Sequence, residues 1–181
     1  QLDQLVKEIP KRTHILMDKF WPGPLTIIFY KRDIVPFGTT GGLDTVAVRM
    51  PAHPVALELI KAAGVPIAAP SANISGRPSP VHARDVVEDL EGKIEMILDG
   101  GVSTVGVEST VLDVSEKIPL ILRPGGVTRE ELKSILGQVN LDPGLAPDAV
   151  PRSPGQKYRH YAPKAQMIVV EGSIENQIKT I

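Results

Sequence analysis

The chain has 181 residues, 42% of them hydrophobic, and a formal net charge of −1. That length suits one domain with an appendage, and a chain of this size buries roughly 70% of the surface its unfolded form exposes. Near-neutral charge excludes a global field steering the protein to nucleic acid or membrane, and the absence of cysteine excludes disulfides, thiolate zinc sites and a cysteine nucleophile and fits a reducing cytoplasm.

Leu2, Leu5, Val6 and Ile9 carry the i, i+3, i+4, i+7 spacing of a helix that Pro10 ends. A second helix is predicted over Thr13 to Phe20, followed by a rigid turn, Trp21-Pro22-Gly23-Pro24. Leu25 to Tyr30 is apolar and β-branched, and Thr45 to Met50 alternates Val46, Val48 and Met50 against Ala47 and Arg49; both read as strands. Pro54 opens a helix whose inward face is Ala56, Leu59, Ile60 and Ala63, and Gly64 stops it. Val65 to Ala69 reads as a short buried strand. Ser79-Pro80 begins a helix with Ala83, Val86, Val87 and Leu90 inward, and Ile94 to Leu98 reads as another strand. Ser109 to Val114 and Pro119 to Leu122 are close enough for a hairpin, and Thr128 with Glu131 forms a capping box for a helix that ends at Gly137.

Interleaved strands and helices predict an open α/β sheet, and the short strand-to-strand links make it mixed rather than purely parallel. From about Asn140 to Pro163 no period survives, and five prolines and two glycines fall in the interval. That is a linker, too long for an ordinary loop. Ala165 to Val170 then reads as a strand and Ser173 to Ile181 as a helix, the entrance to a second α/β domain. The expected division is 1–139, a linker over 140–163, and a second domain from 164–181. Gln1 is not a start residue and both ends lie within amphipathic patterns, so the chain reads as an internal piece of a longer protein. No apolar run approaches the roughly 20 residues of a membrane span.

Four stretches carry chemistry. Pro70-Ser71-Ala72-Asn73-Ile74-Ser75-Gly76-Arg77-Pro78-Ser79 lies between an expected strand and an expected helix. Ligands of open α/β sheets bind at such carboxyl ends, and free N–H groups at a helix start suit phosphate. Capping by Ser79 and Asx turns at Ser71 and Asn73 explain the same residues. Arg49 stands among apolar neighbours; a solvated position and a guanidinium pointing into a cleft both fit, and the latter would take carboxylate or phosphate. Gly106-Val107-Glu108-Ser109-Thr110 puts two hydroxyls at a strand start, and Leu122-Arg123-Pro124-Gly125 ends a strand with a cation. Gly101 and Gly106 have P-loop spacing, but Val107-Glu108 replaces the Lys-Ser/Thr pair, which rejects a Walker motif. His14, His53, His82 and His160 show no metal-ligand spacing, and no serine-nucleophile signature is present.

The fourth stretch is Lys157-Tyr158-Arg159-His160-Tyr161, inside the linker. Between Ala149 and Lys164 there are four cations and no acid. A basic tether accounts for the charge but not for two of the chain's three tyrosines, since spacers are poor in aromatics.

These blocks, taken in order, resemble the YrdC-domain L-threonylcarbamoyladenylate synthase family in its long, two-domain form. The matching text is Lys19 to Thr26, Val46 to Pro51, Ala69 to Gly76, Gly106 to Val111, Leu122 to Gly125 and the linker from Pro154 to Pro163. The resemblance implies a YrdC-like twisted sheet around a concave cavity. It implies a nucleotidyltransferase that turns L-threonine, bicarbonate and ATP, with Mg2+, into threonylcarbamoyl-AMP and pyrophosphate. The product would pass to a tRNA-modifying threonylcarbamoyl transferase complex. By match to motif positions, Thr45, Ser71, Asn73, Ser79 and Arg123 would contact ATP, and Arg49, Ala69 and Ser109 would line the threonine site. Arg49, Ser71, Asn73 and Arg123 would act by charge and positioning. Tyr161 and His160 would fold back over the nucleotide as a lid. The family's Lys-x-Arg motif is not found here; Lys11-Arg12 has the wrong surroundings, so the site is expected to be incomplete.

Two other readings compete. A carbamoyl-transfer maturation enzyme carries a related domain, but with cysteine-rich zinc modules. A double-stranded-RNA-binding module without catalysis would need a denser basic stripe than a net charge of −1 provides.

Overall fold

The computed structural model describes residues 1–144, 151–153, 169–174 and 178. Eleven elements follow in order: α1 (Leu2–Leu5), α2 (Lys11–Phe20), β1 (Leu25–Tyr30), α3 (Phe37–Thr40), β2 (Thr45–Val48), α4 (Pro54–Ala63), α5 (Ala83–Leu90), β3 (Thr110–Asp113), β4 (Leu120–Arg123), α6 (Arg129–Leu136) and β5 (Asn140–Leu141). The sheet runs β2-β1-β3-β4-β5. β1 pairs antiparallel with β2 and parallel with β3, β3 and β4 form the expected antiparallel hairpin, and β5 lies parallel to β4. The expected mixed α/β sheet is therefore present, and its last strand takes up the first two residues of the stretch read as linker.

Register assigns the two faces. Ile27 and Phe29 of β1 stand opposite Val48 and Val46 of β2, and Ile27 stands beside Leu112 of β3. With Leu25, Val114 and Ile121 these side chains form the main core, against Leu16 of α2 and Leu132 of α6. The other face is thinner: Ile28, Val111 and Leu122 are buried there, with Leu120 beside them. Ile28 pairs with Ala47 and Tyr30 with Thr45, so Thr45, Ala47 and the following Arg49 line this second face.

Local signals explain several boundaries. Gly64 ends α4 in the left-handed region at φ 68°, which glycine adopts without a Cβ penalty. At α6, Glu131 N–H donates to Thr128 Oγ1 at 3.2 Å, and Glu131 Oε2 accepts from Thr128 N–H at 2.8 Å. These hydrogen bonds from Thr128 backbone and side chain hold the Glu131 carboxyl below its usual pKa. Thr128→Ala is expected to cost about 1 kcal/mol, read from the denaturation midpoint. Because the folded pKa of Glu131 is depressed, its share is present above its unfolded pKa. That share is lost as pH falls through the folded value, so the difference between wild type and variant narrows in strong acid.

Four expectations are corrected. The first helix stops at Leu5; Val6 turns extended, at φ −117° and ψ 148°, and bridges to Lys31, which buries it. Val65 to Ala69 and Ile94 to Leu98 are not strands, and Val65, Ile67, Ile94, Met96 and Leu98 are exposed. An apolar run becomes a strand only beside a hydrogen-bonding neighbour, and neither stretch has one among the described residues. For the same reason the face of α4 expected inward is not buried: Leu59 and Ala63 are exposed, and Ala56 and Ile60 half-buried. The helix expected from Ser79 begins at Ala83 instead, where Asp85 accepts from His82 N–H at 3.2 Å. Most of the strand expected over 165–170 and of the helix expected over 173–181 lies outside the described residues.

Candidate anion-binding site

The site is assembled by the turn before β1. Trp21 Nε1 donates to Leu25 O at 2.6 Å and closes that turn. Gly23 N donates to Met50 O at 2.9 Å, and Thr110 N donates to Pro24 O at 3.0 Å. Residues 21–24 are thus stitched to the end of β2 on one side and to the start of β3 on the other. Arg49 follows β2, and its Nε donates to Gly23 O at 2.9 Å. Ser109 precedes β3 and is 6% exposed.

Arg123, at the end of β4, reaches across the hairpin. Its Nε and Nη2 donate to Ser109 O at 3.1 and 2.9 Å, and Nη2 also meets Ser109 Oγ at 3.1 Å. Behind this contact a Cβ on Gly125 would stand 2.6 Å from both Ser109 C and Thr110 N, so only glycine lets the Pro124-Gly125 turn close on β3.

Burial, and after it the positive charge of Arg123, lower the Arg49 pKa from the ordinary arginine value. Among the described residues neither guanidinium meets a carboxylate within ion-pair distance. Two neighbouring cations that repel each other, with no acid paired to either among the described residues, are a place that a bound anion would stabilise.

The loop from Ser71 to Ser79 is built separately. Asp89 on α5 is 6% exposed and pairs with Arg77, while its Oδ2 accepts from Ile74 N–H at 3.0 Å. Asn73 Nδ2 donates to Ile74 O at 2.9 Å and to Arg77 O at 3.1 Å. Asn73 Oδ1 and Ser79 Oγ are buried and have no hydrogen-bond partner among the described residues. Buried polar atoms without partners are costly in a folded chain and mark a place for a ligand or water.

The residues singled out from the sequence therefore fall into groups. Arg49, Ser109 and Arg123 come together. Asn73 and Ser79 share the loop held by Asp89, with Ser71 exposed at its start. No hydrogen bond joins that loop to the arginine pair among the described residues. Thr45 lies farther along the face that carries Ala47 and Arg49. Ala69 is exposed and belongs to no strand, because its expected strand has no partner. His160 and Tyr161 lie outside the described residues. Arg12 is committed elsewhere, donating to Val114, Glu116 and Lys117 carbonyls of the β3–β4 connection.

Sequence reasoning missed two contributors. Thr26 Oγ1 lies 2.7 Å from Ser109 Oγ; the available signal was the one aliphatic hydroxyl in a largely apolar strand. Asp89 had no signal beyond being an acid on a helix, and its burial appears only in three dimensions.

A mixed sheet with one packed face, and one face ending in an arginine pair beside hydroxyls, defines an α/β protein with a candidate anion-binding site. The chain belongs to the Sua5–YciO–YrdC family: that family's model, described as "Telomere recombination", matches residues 1–125. A second model, described as the threonylcarbamoyl-AMP synthase C-terminal domain, matches residues 127–180. The chain is 55% identical over 174 residues to a threonylcarbamoyl-AMP synthase of Pyrococcus abyssi (strain GE5 / Orsay), covering 95% of this chain and 51% of that one. It is 50% identical over 177 residues to the one of Bacillus subtilis (strain 168), covering 97% and 51%. The crystal structure of P. abyssi Sua5 complexed with L-threonine matches with a TM-score of 0.93 and 53% identity, over 99% of this chain and 54% of that one. The chain thus spans about half the length of the curated relatives it matches.

Proposed function

We propose that this chain carries substrate-binding machinery of an L-threonylcarbamoyl-AMP synthase. The observation that carries the reading is the Arg49–Ser109–Arg123 cluster, two cations and a hydroxyl on one sheet end with no acid paired to either cation among the described residues. The names of the relatives and the L-threonine bound to P. abyssi Sua5 support it.

In this reading the amine of L-threonine captures the carbon of bicarbonate, as CO2, to give a carbamate. A carbamate oxygen attacks the α-phosphorus of ATP, a P–O bond forms, and the bond to the β,γ-diphosphate breaks. The products are threonylcarbamoyl-AMP, pyrophosphate and the water lost when bicarbonate becomes the carbamate. The protein forms no covalent bond, so its contribution is positioning and charge neutralisation. Arg49 holds the threonine carboxylate and Ser109 donates beside it, with Ala69 at the edge of that site. Arg123 stabilises phosphate charge, while Thr45, Ser71, Asn73 and Ser79 hold the nucleotide. His160 and Tyr161 are assigned to the nucleotide from the sequence motif.

Mg2+ would enter with ATP. Asn73 Oδ1, a buried oxygen with no partner, fits one ligand position. No cluster of three or more His, Cys, Asp or Glu side chains is found among the described residues, so the remaining ligands would be phosphate oxygens and water. Bound there, the ion would offset phosphate charge. The product would pass to a transferase that modifies tRNA.

The complete protein, given L-threonine, bicarbonate and labelled ATP, is expected to release pyrophosphate only when threonine is present. Release that ignores threonine, or none at all, overturns the reading.

A further inference from the structure

The Thr26–Ser109 contact has a proton count that limits what it can bind. Each hydroxyl brings one proton and can accept at two positions. One proton lies between the two oxygens, across 2.7 Å. Arg123 Nη2 donates to Ser109 Oγ at 3.1 Å and fills one acceptor position there. One hydroxyl proton is left, and no protein acceptor takes it among the described residues.

That surplus donor sits where two guanidiniums lack a counter-charge, so the acceptor it suits is an anionic oxygen. The geometry also keeps the pair still. Thr26 is the second residue of β1, paired with Val111 on the adjacent β3 strand, and the turn before it is tied to Met50 and Thr110. A β-branched side chain on a paired strand has few χ1 choices.

We propose that Thr26 is a positioning and selectivity residue. Its hydroxyl commits the Thr26–Ser109 pair to offering one O–H to the carboxylate of the amino-acid substrate held by Arg49. This rests on the synthase reading above. In this arrangement Thr26 Oγ1 donates to Ser109 Oγ, beside the Arg123 contact, and so turns the Ser109 proton toward the substrate.

The test uses Thr26→Val, which keeps the shape and removes the hydroxyl, and Thr26→Ser, which keeps the hydroxyl, both in the complete protein. Thr26→Val leaves Ser109 its own proton but removes the hydroxyl that aims it, so the KM and calorimetric Kd for L-threonine are expected to rise by up to about tenfold, the full effect of losing one hydrogen bond to a charged group. The KM for ATP should stay within about twofold, and Thr26→Ser should restore threonine affinity to within about threefold of wild type, as expected for loss of uniform binding to one substrate. Unchanged threonine affinity in Thr26→Val overturns the proposal. So does an equal rise in both KM values with a lowered melting temperature, which is what a purely structural role produces. Should Thr26→Val not fold, Thr26→Ala is read by the same split. Wild-type protein that binds threonine but makes no threonine-dependent pyrophosphate removes the synthase reading, while the binding comparison still decides the role of Thr26.

Discussion

Arg123→Ala is expected to lower threonine-dependent pyrophosphate release by about 10²–10³-fold, the range for removing one preorganised donor from a site of developing charge. Two losses combine. The guanidinium proposed to face phosphate is gone, and Ser109 loses the grip on both its carbonyl and its hydroxyl. Arg123→Lys should recover little. An ammonium is a single point of donation, whereas the planar fork reaches Ser109 O through two nitrogens and Ser109 Oγ through one of them. The fold should survive both changes, because Arg123 sits at the end of β4, only partly buried, with no acid paired to it among the described residues. Steady-state kinetics with a melting curve on the same samples checks this. Activity of Arg123→Ala within threefold of wild type, with an unchanged melting temperature, would remove Arg123 from the site.

Arg152→Ala is expected to lose about 3 kcal/mol of stability, the low end of the range for stranding a buried charge. Asp113 on β3 is 0% exposed, and its carboxylate is paired with Arg152, which is 40% exposed. Asp113 Oδ1 also accepts from Ser115 N–H at 2.8 Å, which softens the loss without replacing the cation. For a chain of this size about 3 kcal/mol corresponds to roughly 6–12 °C in melting temperature. Removing both charges together, as Asp113→Asn with Arg152→Ala, should cost less than Arg152→Ala alone, because no buried charge is then left unpaired. Equal midpoints for wild type and Arg152→Ala in denaturant would show that the pair does not hold residues 151–153 to the sheet. The pairing also bears on how the linker should be pictured: a residue that reads in sequence as one more cation in a basic tether is fastened to the interior of the sheet.

Both expectations concern residues whose roles were only half visible in the sequence. Arg123 stood out because turn chemistry explains Pro124-Gly125 and leaves the arginine over. Arg49 stood out in the same way, as a cation in an apolar alternation. Their neighbourhood did not: positions 74 residues apart carry no mutual signal until β1 lies between β2 and β3. Asp113 lies inside the expected strand from Ser109 to Val114 without any mark of its own, and the cation paired with its buried carboxylate stands 39 residues later.

By itself the sequence determined what is decided within one turn or one strand. It marked β1 from its apolar, β-branched run, α4 between Pro54 and Gly64, α6 from the Thr128–Glu131 cap, and the hairpin of β3 and β4 from their short link. It also carried the ordered motif blocks by which the family could be named. Only the tertiary structure decided which apolar runs became strands. Leu25 to Tyr30 has neighbours on both sides, whereas Val65 to Ala69 and Ile94 to Leu98, also largely apolar, have none among the described residues and lie mostly exposed. It alone decided that Thr26 meets Ser109, that Asp89 holds the loop from Asn73 to Arg77, and that Arg152 closes on Asp113. The reason is physical. Capping and periodicity act between residues a few positions apart, but backbone pairing and charge compensation act through space, between groups that only the folded chain brings into contact.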